Sequence, residues 1–164
     1  STPGRMAVKR IALIVLAAAL SGAAATAHAD FSKESTPPAS PPAATLDAAK
    51  AKIDAGDFRG AIPILTTLVQ KEPDNPDALN LMGYSLRKTG QTTPALQCYS
   101  KALALNPKHL GANEYLGELY VELGRMDKAK ERLAVLSAAC GACAQEQDLR
   151  KAIATGVPNT KKSW

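Results

Sequence analysis

The sequence predicts an all-α solenoid, a stack of about three helix–turn–helix repeats of 34 residues followed by a C-terminal capping helix. Hydrophobic residues make up 46% of the 164 residues, but aromatic residues only 4%. This balance favours helices over a β-sandwich or barrel, which need more aromatic and β-branched residues. Small residues also recur at one fixed interval. Two such series, each spaced 34 and 34, are Gly56, Gly90 and Gly124, and Ala61, Ala95 and Ala129.

Each repeated residue type has a structural reason. The three glycines are expected at the C′ positions of the first helices, where the positive φ costs glycine little. The alanines are the small contact residues of the second helices, and Pro73 and Pro107, also 34 apart, end those helices. Apolar residues between these points recur at helical spacing. The predicted helices cover 45–55, 58–71, 76–89, 92–105, 110–123 and 126–139.

The middle repeat reads Leu79-x2-Met82-Gly83-x2-Leu86, then Ala95-x3-Tyr99, then Pro107. This pattern resembles the tetratricopeptide repeat family, and the resemblance extends over about 43–143. It implies an α-solenoid in which Gly83 and Gly117 lie where two helices cross closely, so that a side chain at either position would separate them. The third repeat has Gly141 where the closing proline is expected.

A seventh helix is predicted near 143–155. Leu149, Ala152 and Ile153 share one of its faces, and charged or polar residues occupy the rest. That distribution is typical of the terminal helix that closes a solenoid. We therefore expect a repeat domain over 45–155 and a tail over 156–164.

The first 29 residues have the features of a secretory signal peptide. Three basic residues, Arg5, Lys9 and Arg10, precede the apolar run 11–20, and Ala27-His28-Ala29 matches a cleavage site. The alternative is a membrane anchor, which the weakly apolar end of the segment disfavours. Cleavage would leave a proline-rich segment, 30–44, at the new N-terminus. We expect this segment to be a disordered linker, and the alternative is a proline-rich ligand for another domain.

Export also changes the charge balance. The chain carries 20 Lys and Arg against 15 Asp and Glu. Removal of the three N-terminal basic residues leaves 17 against 15, close to neutral, so the charge gives no argument for nucleic-acid binding. We expect contact with a membrane only transiently, through the signal peptide, and a final location in the bacterial periplasm.

The Cys140-Gly141-Ala142-Cys143 motif allows three interpretations. A structural disulfide between Cys140 and Cys143 is favoured, because exported thiols tend to pair. A redox centre would need the strand–turn–helix setting of thioredoxins, and a structural zinc site would need four ligands. Cys98 lies in the middle of a predicted helix and is expected to be a small buried apolar residue, with a reactive or intermolecular thiol as the alternative.

The sequence contains no hydrolase constellation, phosphate loop or H-E-x-x-H motif, so no enzyme activity and no cofactor are predicted. Glu114, Glu118 and Glu122 stand four residues apart. They are expected to form a solvated acidic stripe, with acid–base chemistry or cation binding as the alternatives.

In the tetratricopeptide family the first helix of each repeat lines the concave groove. The helical phase of this sequence then predicts groove residues in the second and third repeats. They are Asn80, Tyr84, Arg87, Lys88, Glu114, Tyr115, Glu118 and Glu122. The alternative is that these are ordinary surface residues and that the partner binds elsewhere. The family's clamp for C-terminal carboxylates uses Lys, Arg and Asn, whereas Glu114 and Glu118 are acidic, so a peptide or helix of mixed or basic charge suits this groove better.

These observations predict a non-enzymatic protein-interaction module, a scaffold or a chaperone-like adaptor, whose partner is another protein or a peptide. The alternative function is a thiol-redox or metal-handling accessory protein that works through Cys140 and Cys143.

Overall fold

The computed structural model describes residues 43–158. This part of the chain is entirely α-helical, in agreement with the predicted fold class. Its helices are α1 (Leu46–Asp54), α2 (Phe58–Lys71), α3 (Pro76–Lys88), α4 (Thr92–Leu105), α5 (Leu110–Glu122), α6 (Met126–Cys140) and α7 (Ala144–Thr155). The predicted signal peptide over 1–29, the linker up to 42 and the tail beyond 158 lie outside the described residues. None of the seven helices is both long enough and apolar enough to cross a membrane.

The predicted helix ends agree with the structure to within one residue. Polar side chains fix several of the starts: Thr45, Asp57 and Asn75 each accept a hydrogen bond from the backbone N–H three residues later, which satisfies a donor that the first turn leaves unpaired. At the other ends of the first helices, Gly56 and Gly90 have φ of 75° and 80°. The prediction that these glycines terminate the first helices in the left-handed region is confirmed.

Helices α3 and α4 pack through one small residue and one aromatic ring. A Cβ built on Gly83 of α3 would lie 2.7 Å from Cε1 of Tyr99 on α4. Tyr99 is fully buried, as is Ala95 one turn before it. The close crossing predicted at Gly83 is therefore present, and the ring of Tyr99 fills the space that a side chain would take.

Gly117 also lies at a close contact between two helices, in this case α5 and α7. A Cβ on Gly117 of α5 would lie 2.7 Å from Cδ1 of Leu149 on α7. The helices α3, α5 and α7 begin at Pro76, Leu110 and Ala144, which is the same 34-residue interval. The predicted cap is thus the first helix of an incomplete fourth repeat, and it covers the apolar end of the third.

The repeats meet in an aromatic cluster. The ring centroids of Tyr84 and Tyr115 are 4.7 Å apart, and that of Phe58 lies 5.8 Å from Tyr84 in an edge-to-face arrangement. Tyr99 joins from α4, with its centroid 6.5 Å from Tyr115. Such contacts add to the free energy of burial, so these rings help to hold the three repeats together in one core.

Candidate functional site

The predicted groove residues lie on α3 and α5, but six of the eight are buried and not exposed as expected: Asn80, Tyr84, Arg87, Glu114, Tyr115 and Glu118. Tyr84 is 2% exposed and Arg87 is 6% exposed. Tyr84 is in the aromatic cluster with Phe58 and Tyr115. The neighbouring repeats pack against this helix face closely enough to enclose both side chains.

Arg87 is enclosed because it joins two repeats. Its Nη2 donates to Oε2 of Glu118 at 2.7 Å, its Nε donates to Oε1 of Glu122 at 3.0 Å, and its Nη1 donates to the carbonyl oxygen of Tyr115 at 3.2 Å. Burial alone would lower the pKa of Arg87, but the acidic groups around it raise the pKa above its ordinary value. The guanidinium therefore stays charged and links α3 to α5.

The acidic stripe also differs from the expectation. Glu114 and Glu118 are buried, and only Glu122 reaches solvent, with 37% of its side chain exposed. The prediction of a solvated stripe is wrong for Glu114 and Glu118, because α5, the helix that carries them, packs between α3 and α7. Within 43–158, no cluster of three or more His, Cys, Asp or Glu could hold a metal ion.

Lys88 and Glu122 are the groove residues that solvent reaches. The ammonium of Lys88 lies 5.5 Å from the ring centroid of Tyr84, within the range of a cation–π contact. Partial burial lowers the pKa of Lys88. Both residues lie at the C-terminal ends of their helices, α3 and α5, so they mark the accessible edge of this face.

A cavity of about 420 Å³ opens at the opposite end of the same face, between the N-terminal ends of α3 and α5. We call it the N-terminal cavity. Only Asn80 among the predicted groove residues lines it. The other lining residues are Lys50, Asp77, Leu81, Asn106, Lys108, His109, Leu110, Gly111 and Gln145.

His109 sets the geometry at the mouth of the N-terminal cavity. Its Nδ1 accepts a hydrogen bond from the N–H of Ala112 at 3.1 Å and so caps α5. Its Nε2 lies 2.9 Å from Oδ1 of Asp77. Because Nδ1 accepts, Nε2 carries the proton and donates to the carboxylate. The pair bridges the starts of α3 and α5 and holds them side by side.

Sequence reasoning missed the N-terminal cavity, although one signal for it was present. Asp77 and His109 are 32 residues apart, almost one repeat, and both lie at the starts of first helices. In a solenoid, equivalent positions of successive repeats are neighbours in space. A search for complementary polar residues at one-repeat separation would have paired them.

The two cysteines of the C-x-x-C motif form a close pair where α6 ends and α7 begins. Their Cα atoms are 5.7 Å apart, a separation that suits a disulfide. Gly141 between them has φ of 66°, and Cys143 is the N-cap residue of α7. Both cysteines are half-buried. The cysteine pair therefore lies at the junction between the third repeat and α7, the helix that covers it.

Cys98 lies on α4, where it packs against the main apolar core and remains half-buried. Burial raises the pKa of its thiol, which keeps it protonated and poorly nucleophilic. Its surroundings agree with the prediction of a small apolar residue.

Comparisons with known proteins agree with this architecture. Human general transcription factor 3C polypeptide 3 is 36% identical over 89 residues, which are 54% of this chain and 10% of that protein. The chain thus spans about a tenth of that relative's length.

Solved structures with a similar fold include a thermophilic TPR protein from Thermus thermophilus, with a TM-score of 0.63 and 21% identity over 67% of this chain and 62% of that one. Another is the first TPR domain of Spaghetti (RPAP3) bound to the HSP90 peptide SRMEEVD. Its TM-score is 0.60 and its identity 19%, over 66% of this chain and 86% of that one.

A family model described as "Anaphase-promoting complex, cyclosome, subunit 3" matches residues 54–136, just over half of the chain. The matched range runs from the end of α1 into α6, so it includes α2 to α5 in full and with them the complete second repeat. The chain belongs to this family.

Proposed function

We propose that this protein is an interaction module that binds a peptide or a helix of another protein on the face formed by α3 and α5. The observation that carries the proposal is the open N-terminal cavity between the first helices of two repeats, lined mostly by polar side chains. The similar TPR domain of Spaghetti (RPAP3) was solved with a bound peptide. A scaffold or a chaperone-like adaptor would use such a surface.

We propose no catalytic role for the residues that could perform acid–base chemistry. Glu118 and Glu122 are both bonded to Arg87. Both ring nitrogens of His109 are engaged, one by the α5 cap and one by Asp77. Groups held in this way stabilise the fold and are poorly placed to exchange protons with a substrate.

We further propose that the protein is exported to the bacterial periplasm after cleavage behind Ala29. The basic residues, the apolar run and the Ala27-His28-Ala29 site support this proposal. Intact mass spectrometry of the product in an expressing bacterium tests it: an N-terminus at Asp30 is expected. A membrane-bound product that retains 11–20 would instead identify an anchor.

One observation supports the alternative function, which is that of a thiol-redox or metal-handling accessory protein that works through Cys140 and Cys143. Cys143 is at the N-terminus of α7, where the helix dipole stabilises a thiolate. We favour a structural disulfide, because the pair lies at the hinge that holds α7 over the third repeat. The last prediction of the Discussion separates the two.

Site-specific photo-crosslinking tests the binding face directly. A photoreactive amino acid replaces Lys88, at the accessible edge of α3, in the full chain. The matched control places it at Lys101, an exposed lysine on the second helix α4. Crosslinks to a defined protein from position 88 and not from 101 are expected. Equal crosslinking from both positions, or crosslinking from 101 alone, would place the binding surface elsewhere.

A further inference from the structure

We propose that the protein has a second interaction surface, which binds an acidic amphipathic helix of a partner protein in a groove between α4 and α6. We call it the outer groove. Three helices contribute to its lining, which includes Leu103, Ala104, Leu116, Tyr120, Lys128 and Arg132. This inference goes beyond the proposed function, because the groove lies on the other side of α5 from the face formed by α3 and α5.

The pattern of contacts along α5 separates the two surfaces. Leu116 and Tyr120 line the outer groove, whereas Glu118 and Glu122 bond to Arg87 of α3. Residues two positions apart on an α-helix point about 200° apart around its axis, because the helix has 3.6 residues per turn. A ligand in the outer groove therefore leaves the face formed by α3 and α5 free.

The outer groove has a volume of about 360 Å³ and an apolar floor. Leu116 is buried, Leu103 and Tyr120 are half-buried, and Ala104 is exposed at the edge. Covering this floor with apolar side chains would remove it from water, which is favourable. The floor therefore favours a protein segment that has an apolar side.

Arg132 is held in position at the side of the outer groove. Its Nη1 donates to Oδ1 of Asn113 on α5 at 3.3 Å. Asn113 is fully buried, and its Nδ2 donates to the carbonyl oxygens of Pro107 and His109, each at 3.0 Å. Because Asn113 is fixed in this way, it orients the guanidinium, and it takes only one of the five N–H donors. The other donors suit a carboxylate, which a guanidinium can bind through two parallel hydrogen bonds.

Lys128 is one helical turn from Arg132, and an aromatic ring positions it. Its ammonium lies 5.6 Å from the ring centroid of Tyr120, within the range of a cation–π contact. Residues four apart on a helix lie on the same side of it, about 6 Å from each other. Two acidic residues four apart on a partner helix would match the spacing of these two cations.

One acidic residue, Glu131, also lines the outer groove. Its carboxylate lies 3.9 Å from Nη2 of Arg132, and 66% of its side chain is exposed. An exposed ion pair at this distance contributes little free energy, so a carboxylate of the ligand can replace it. The lining thus offers two positioned cations against one loosely held carboxylate.

The kind of ligand follows from the floor and the cations together. A free anion or a phosphate backbone would pair with Lys128 and Arg132 but would leave the apolar floor uncovered. An apolar helix without acidic residues would cover the floor but would leave both cations unpaired. A helix that carries acidic residues beside an apolar strip meets both conditions.

An NMR titration of the full chain, uniformly labelled with ¹⁵N, tests this inference. The probe is a blocked helical peptide, rich in Ala and Gln, with two Glu one turn apart beside two Leu. It is compared with versions in which both Glu are replaced by Gln or by Lys. Saturable shifts of the amides of Leu103, Tyr120 and Arg132 are expected with the Glu peptide. The Gln peptide is expected to bind about tenfold more weakly, since hydrogen bonds to a charged group are lost.

Variants of exposed residues identify the side chains responsible. Lys128→Ala is expected to weaken binding of the Glu peptide about tenfold and to change binding of the Gln peptide little. The matched control is Lys130→Ala, which removes the same charge from an exposed position of α6 outside the groove lining. It should leave the affinity unchanged.

A bulky side chain at the edge of the groove tests the apolar floor. Ser100 lines the outer groove and is exposed, so Ser100→Trp adds a ring there without disturbing the core. It is expected to weaken the Glu and Gln peptides alike. The control is Gln97→Trp, at an exposed position of α4 outside the lining, which should bind both peptides as the wild type does.

Four outcomes would overturn the inference. They are equal loss of affinity in Lys128→Ala and Lys130→Ala, binding of the Lys peptide as tight as that of the Glu peptide, shifts confined to residues outside the groove lining, and no saturable shift with any peptide. None of them bears on the proposed function, because crosslinking from position 88 reports on the other side of α5.

Discussion

The guanidinium of Arg87 on α3 and the carboxylate of Glu118 on α5 form an ion pair of 2.7 Å in which both side chains are almost fully buried, at 2% and 1% exposure. The pair connects the second repeat to the third at the centre of the face predicted to bind a partner. A buried charge is tolerated only with a well-placed counter-charge. The integrity of this face therefore depends on both residues.

Replacement of Arg87 by Ala is expected to lower the free energy of unfolding by about 3–5 kcal/mol, because it leaves the carboxylate of Glu118 buried without its counter-charge. The measurement is urea denaturation followed by circular dichroism. The double variant Arg87→Ala/Glu118→Leu removes both charges and should recover part of the loss. If the single and double variants are equally stable and match the wild type, the ion pair does not join the repeats.

Replacement of Gly83 by Leu tests the contact between α3 and α4. The added side chain would occupy the space of the Tyr99 ring, whose Cε1 lies 2.7 Å from the Cβ position. Overpacking of this kind costs about 1–3 kcal/mol or more. The control is Ala104→Leu, at an exposed position of α4, which should be nearly neutral. An unchanged melting temperature for Gly83→Leu would contradict the observed packing.

The fold was predictable because helix boundaries are determined locally. The glycines at 56, 90 and 124 and the prolines at 73 and 107 act within one turn of their own position, so their spacing located six helices to within one residue. The additional apolar face at Leu149 then indicated the terminal helix. No contact between distant residues was needed for any of these predictions.

The surface was less predictable because it depends on how closely successive repeats approach. Helical phase predicted that Arg87 and Glu118 both line the groove, but it could not show that Glu118, 31 residues later, forms an ion pair with Arg87. The burial of Tyr84 likewise depends on Phe58 in the preceding repeat and Tyr115 in the following one. Which residues of successive repeats come into contact depends on three-dimensional packing, and the spacing of residues along the sequence does not reveal it.

Alkaline pH provides a test of the aromatic cluster. Burial raises the pKa of Tyr84 from its ordinary 10.0 to about 12. The folded state then prefers the neutral phenol more strongly than the unfolded state does. This contribution to stability is complete below pH 10 and is lost as the pH rises from about 10 to about 12. The free energy of unfolding should fall over that interval.

Tyr84→Phe is the matched control for the alkaline transition, because it keeps the ring and removes the ionisable group. The expected result is a shallower fall in the free energy of unfolding between pH 10 and 12, measured by urea denaturation at several pH values. An ultraviolet difference titration should show one late-ionising tyrosine fewer than in the wild type. Identical pH profiles for the two proteins would show that Tyr84 ionises equally in both states.

The last prediction concerns Cys140 and Cys143, which we expect to form a disulfide that holds α7 over the third repeat. Replacement of both by Ser should loosen α7 first, because its contact with α5 depends on Leu149 lying against Gly117. Hydrogen exchange at 144–155 should then accelerate while α3 and α4 stay protected.

The purified chain has three cysteines, so thiol titration should find only Cys98 before reduction and all three after it. A stoichiometric bound metal would support the alternative function, and so would a reduction potential above about −200 mV, the range of dedicated thiol–disulfide exchangers. Unchanged exchange at 144–155 in the double Ser variant would exclude a structural role for the pair.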